Sequence, residues 1–211
     1  MLRIKERGDT LIEVLFAISV FSFVVVGSLA IMNQGTAASQ RSLEITLVRQ
    51  QIDAQAETLR FMHDSYVAVY QSGMTFDTTD ATTSPAEEWY KMLNSIVATG
   101  KTSASGVSDC PATTPTGSFI VDPLNVRFVA SADKALPGNT FAQIFYNSDN
   151  SFNNANGLWI EAVRSRTNTA DGGNQANTGY IDFHILSCWD SAGSSIPSTQ
   201  GTIVRLYEPR G

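Results

Sequence analysis

The chain has 211 residues, a formal net charge of -6 and only 16% charged positions, room for one domain beside an anchoring segment and no evident second domain. An acidic balance argues against general nucleic-acid binding. Abundant Ser, Thr, Asn and Gly fit a loop-rich surface outside the cytoplasm.

Residues 1–8 form a basic leader, with Arg3, Lys5 and Arg7 against a single Glu6. Next comes Gly8-Asp9-Thr10-Leu11-Ile12-Glu13, and then an uncharged run over residues 14–32. That run is 19 residues long, above the roughly 18 that mark a membrane-spanning helix and longer than an ordinary signal-peptide core. The positive-inside rule keeps the leader cytoplasmic and sends everything after Met32 outward. Glu13 is the anomaly, a carboxylate inside the apolar segment that begins at Leu11. At bilayer depth it costs about 2.5 to 3.5 kcal/mol on insertion scales, so it calls for a partner. Cleavage after Gly8 would create one, a free amine on Asp9 able to neutralise Glu13 of a neighbouring chain. The pair would act as a register device, and loss of the leader would take the net charge to -8.

These residues resemble the type IV prepilin family, which includes the pseudopilins of secretion and competence systems. The family pattern is a short basic leader ending in Gly, then Phe-Thr-Leu-Ile-Glu and an apolar helix. Gly8, Thr10, Leu11, Ile12 and Glu13 match it in order and spacing. Asp9 stands in place of the usual Phe, and Ala30 lies near where many major pilins carry Pro. The resemblance covers the first 32 residues and implies cleavage between Gly8 and Asp9 by a prepilin peptidase, N-methylation of Asp9, and assembly guided by Glu13. The implied partners are that peptidase, other pilin subunits in a helical filament, an inner-membrane assembly machinery, and the lipid bilayer before assembly.

Downstream, Ile45, Val48, Ile52, Ala56, Leu59, Met62, Tyr66 and Tyr70 recur at three- and four-residue steps, which predicts one apolar helical face docked on a sheet. With no proline before Pro85, one helix is expected from about Thr10 to Gln71, on the order of 90 Å long, stopping near Gly73. Residues 73–85 read as a polar loop, 86–98 as a short helix entered through Ser84-Pro85, and 99–117 as a connecting loop carrying Cys110. The period then changes to two, with strands expected at 118–121, 125–130, 140–147, 158–164, 180–189 and 202–207. The polar segments 148–157 and 168–179 read as exposed loops. The expected fold is α+β and type IV pilin-like: leader 1–8, assembly helix 9–32, amphipathic continuation 33–72, and a head over 73–211 in which an antiparallel sheet packs on the helix.

Cys110 and Cys188 both lie on the exported side, where an even pair reads as a disulfide. His63 and His184 share no motif and read as structural residues. Gly100-Lys101-Thr102 lacks the first glycine of a phosphate-binding loop, and Ser131-Ala132-Asp133-Lys134 lacks the partner motifs of a penicillin-binding nucleophile. Asp149, Asn150 and Asn153, with Asp171, Asn174 and Asn177, supply oxygens of the kind calcium takes. Neither run has EF-hand spacing, so both read as solvated turns, with calcium the one cofactor to weigh against that reading. Trp89, Trp159 and Trp189 read as packing rather than a carbohydrate platform. No catalysis is expected. The chain reads as a non-enzymatic filament subunit, a minor pilin before a major one, held in the inner membrane until assembly into an extracellular pilus or periplasmic pseudopilus. The rivals are a pseudopilin, a monomeric membrane-anchored adhesive protein and an anchored hydrolase.

Overall fold

The computed structural model describes residues 11–76, 84–99, 104, 110–111, 113–130, 134–135, 141–164 and 179–209. Gly8 and Asp9, the loop over 168–178, the Gly100-Lys101-Thr102 and Ser131-Ala132-Asp133 stretches, and the second candidate calcium run lie outside these residues. The chain divides into two compact units, residues 1–43 and 44–211.

Helix α1 runs Leu11–Gln71 and contributes to both units. It continues through Gly27 and Gly35, neither of which has a neighbouring atom against the position a side chain would take. Past Gln71, the Gly73 amide bonds the Tyr70 carbonyl at 3.1 Å while Gly73 turns to a φ of 73°, a left-handed conformation that ends a helix. In the first unit every residue from 11 to 32 is exposed. The hydroxyls there need no outside partner: Ser19, Ser22 and Ser28 each donate to the carbonyl four residues back at 2.8 Å.

In the second unit α1 buries Val48, Ile52, Ala56, Leu59, Met62 and Tyr66. The stripe expected from sequence overran by one step at each end, since Ile45 and Tyr70 are exposed. At its start Glu44 reaches the head instead, its carboxylate accepting from Ser191 Oγ at 2.6 Å and Trp189 Nε1 at 3.2 Å. At its end Tyr70 borders a cavity. Helix α2, Pro85–Thr99, opens with a reciprocal cap: the Ser84 amide donates to Glu87 at 2.7 Å and the Glu87 amide to Ser84 Oγ at 3.3 Å. Its Trp89 and Met92 join the core.

The described residues of the head form two sheets. Strands β1 (Phe119–Asp122), β2 (Arg127–Ala130), β6 (Leu158–Arg164), β7 (Tyr180–Trp189) and β8 (Ser198–Tyr207) form a five-stranded sheet in the order β2-β1-β6-β7-β8, antiparallel throughout. Strands β3 (Lys134–Ala135), β4 (Gln143–Tyr146) and β5 (Phe152–Asn156) form a smaller sheet in the order β3-β5-β4, with β3 parallel to β5. The segment 148–157 is therefore not the exposed loop its composition predicts. Pairing with β4 turns its Asn-rich second half into a strand and buries Ala155 completely, a tertiary override of local propensity. Gly157 links β5 to β6 at a φ of 61°, and a Cβ there would sit 2.0 Å from the Cys188 carbonyl oxygen.

Alternation along β7 sorts the two faces of the large sheet. Ile181, Phe183 and Ile185 are buried in the main core with α1 and α2, where Phe183 meets Trp89 at 5.5 Å and Phe119 at 6.2 Å between ring centroids. On the opposite face Trp159, Leu186 and Cys188 form a second buried cluster with Cys110.

Candidate functional site

Two features of the described residues are candidates, and they lie in different units. The first is the apolar stretch of α1. Between Glu13 and Arg41 no residue carries a charge, and over residues 11–32 none is covered by the rest of the chain. Phe16, Phe21 and Phe23 are all more than two-thirds exposed, alongside Leu11, Ile12 and Ile31. Monomeric soluble proteins rarely leave an apolar surface of this extent bare. The helix is long and apolar enough to cross a membrane. Glu13, in its first turn, is the one carboxylate on this surface and is itself exposed.

The second part is a cavity of about 230 Å³ in the head, partly open to solvent. The last turns of α1 bring His63, Tyr66 and Tyr70, α2 brings Trp89 and Leu93, and the strand ends bring Arg164, Ile181, Leu206 and Tyr207, followed by Glu208 and Pro209. Tyr66, Tyr70, Trp89 and Tyr207 supply the aromatic part of its lining. His63 meets Trp89 edge-on at 5.2 Å and donates from Nε2 to the Tyr207 carbonyl at 2.8 Å, which ties α1 to the end of β8. Tyr66 stacks on Phe76 at 4.9 Å, and Phe76 on Tyr90 at 5.1 Å. Burial, and then the neighbouring Tyr70 and Glu208, push the Tyr66 hydroxyl above its ordinary pKa, so it stays protonated. Arg164 Nη2 donates to Glu208 Oε1 at 2.6 Å, while its buried Nε has no acceptor among the described residues.

The remaining residues singled out from sequence fall elsewhere. Cys110 and Cys188 are bonded to each other, with Cα atoms 5.7 Å apart. Trp89, Trp159 and Trp189 are almost fully buried, as packing residues. His184 sits on β7 across from Glu161 on one side and Ile203 on the other. The Asp149 carboxylate closes a turn by accepting from the Ser151 amide at 3.0 Å and its hydroxyl at 2.6 Å, which holds it below the usual carboxylate range. Asn150 takes a φ of 62° and Asn153 lies on β5. Among the described residues no three His, Cys, Asp or Glu side chains gather as a metal site would require.

Sequence reasoning missed the buried polar residues that hold the head together. Gln55, fully buried, donates to the Val121 carbonyl at 2.7 Å and accepts from the Val121 amide at 3.0 Å. Glu88, nearly buried, accepts from Lys91 Nζ at 3.2 Å and the Phe128 amide at 2.9 Å, joining α2 to β2. Asp122 accepts from the Leu124 amide, Asn125 Nδ2 and the Tyr146 hydroxyl, at 3.0, 2.7 and 2.9 Å. Glu161, fully buried, accepts from Trp159 Nε1 at 3.0 Å. Only Asp122 carried a readable signal, the Asp-Pro-Leu-Asn turn composition. No family model, curated protein or solved structure matches this chain.

Proposed function

We propose that this chain is a subunit of a type IV pilus or pilus-like filament, a minor pilin, cleaved after Gly8 and assembled through α1. The observation that carries the reading is the bare apolar surface over residues 11–32, with one carboxylate in its first turn. Such a surface is tolerable in lipid, and equally when packed against copies of itself. In lipid Glu13 raises the cost of insertion; in a filament an amine on Asp9 of the adjacent subunit neutralises it. The single charge thereby favours one axial register over all others. Satisfied serine hydroxyls at 19, 22 and 28 suit the helix to both surroundings. Heads projecting from such a bundle form the filament surface, and none of these steps requires catalysis by this chain.

Assembly of Glu13→Ala tests the reading, because the substitution removes the register charge while making the helix easier to insert. The expected result is normal membrane insertion and head folding with filament yield reduced at least about tenfold, the loss of roughly 1.4 kcal/mol or more per contact. Filaments of wild-type abundance from Glu13→Ala, or a wild-type chain that reaches the surface only as a monomer, would favour an anchored display protein.

A further inference from the structure

We infer that the head cavity is a binding site for a single neutral sugar ring. Its lining includes the partly exposed rings of Tyr70 and Tyr207, apolar surfaces against which the C–H face of a pyranose packs, while Tyr66 and Trp89 are held in the core. Its polar end is the Arg164–Glu208 pair. There the partly exposed guanidinium of Arg164, a donor, stands beside the Glu208 carboxylate, an acceptor. A hydroxyl both donates and accepts, so two neighbouring hydroxyls on one ring can satisfy guanidinium and carboxylate together. The charges of Arg164 and Glu208 cancel, which gives neither an anionic nor a cationic ligand an electrostatic advantage. A wholly apolar ligand would cover the partly exposed pair without bonding it, at a desolvation cost. Size narrows the choice further. A cavity of about 230 Å³ is smaller than those that enclose drug-sized molecules, and admits one ring with its substituents rather than an oligosaccharide. Every lining residue belongs to the unit of residues 44–211, so binding does not depend on filament assembly.

The experiment is saturation-transfer NMR and tryptophan fluorescence on the full-length protein in a sugar-free detergent, titrated with methyl glycosides of glucose, galactose, mannose and N-acetylglucosamine. Glucuronate and N-acetyltyrosine amide serve as charged and aromatic controls. At least one neutral pyranoside should bind saturably with a dissociation constant of about 1 mM. Binding should weaken at least about tenfold in Arg164→Met, Tyr70→Ala and Tyr207→Ala. Tyr70 and Tyr207 are half-exposed, so their variants should keep the wild-type Tm and separate loss of the site from loss of the fold. No binding of any neutral pyranoside at about 50 mM overturns the inference. So does a preference for glucuronate or the tyrosine amide, or pyranoside affinity that survives all three substitutions.

Discussion

Gln55 does for β1 what a neighbouring strand would otherwise do. β1 meets β6 at a single register pair, Phe119 with Ile160, and two residues further on the Gln55 amide bonds both the N–H and the C=O of Val121. Gln55→Ala would leave a buried donor and acceptor unsatisfied, each costing about 1–3 kcal/mol. Chemical denaturation should therefore register a loss of roughly 2–5 kcal/mol, and a change below about 1 kcal/mol would show that the two contacts matter little. At the sheet surface, Arg205 donates to both oxygens of Asp182 at 2.7 Å and stands 3.9 Å from the centre of the Tyr180 ring. Those hydrogen bonds hold the Asp182 carboxyl below its ordinary value and raise Arg205. Because the folded pKa of Asp182 is depressed, the pair contributes stability above the unfolded value of about 3.9. That contribution is lost as pH falls through the lower, folded value. An NMR titration of the Asp182 carboxyl should show its midpoint return toward about 3.9 in Arg205→Gln; an unchanged midpoint would assign the shift to another cause.

At the scale of elements, the Cys110–Cys188 bond fastens the segment ahead of β1 to the far end of β7, on the face of the sheet opposite α1. With a sequence separation of 78 between the cysteines, the chain-entropy contribution is about 4.5 kcal/mol. Cys110→Ser/Cys188→Ser should lower unfolding free energy by a large part of that amount; a loss under about 1 kcal/mol would mean the loop is ordered without the bond. How legible each element is from sequence follows from where its partners lie. β7 is readable because apolar and polar side chains alternate between a core face and an outer one, as in Ile181-Asp182-Phe183-His184-Ile185, and β6 because its short run is rich in apolar residues and bounded by polar segments. The lower half of α1 is readable because its stripe repeats at helical spacing. β5 is not, since Phe-Asn-Asn-Ala-Asn has turn composition and becomes a strand only through β4. β8 starts four residues before the expected Thr202 because Ser198 to Gly201 pair with β7 despite their small polar side chains. Gln55 is hidden for the same reason, a polar residue on an apolar stripe whose partner is distant main chain. The head cavity could not be foreseen either, because its lining converges from α1, α2 and three strand ends.

On the scale of the whole molecule, the two units differ in what they bury. Residues 44–211 carry a buried core, two sheets and the disulfide, while residues 11–32 bury nothing against their own chain. The proposed life cycle places that bare helix first in lipid and then among its copies, with removal of the leader as the step between. In that proposal leader removal would also create the amine that neutralises Glu13, so cleavage is the event on which the whole proposal turns. Intact mass and N-terminal sequencing of the membrane-extracted protein, from cells that carry a prepilin peptidase, test it most directly. A mature chain that begins at Asp9, heavier by one methyl group and lighter by two hydrogens for the disulfide, is the predicted result. A chain that retains Arg3, Lys5 and Arg7 would contradict it and make residues 11–32 a simple membrane anchor.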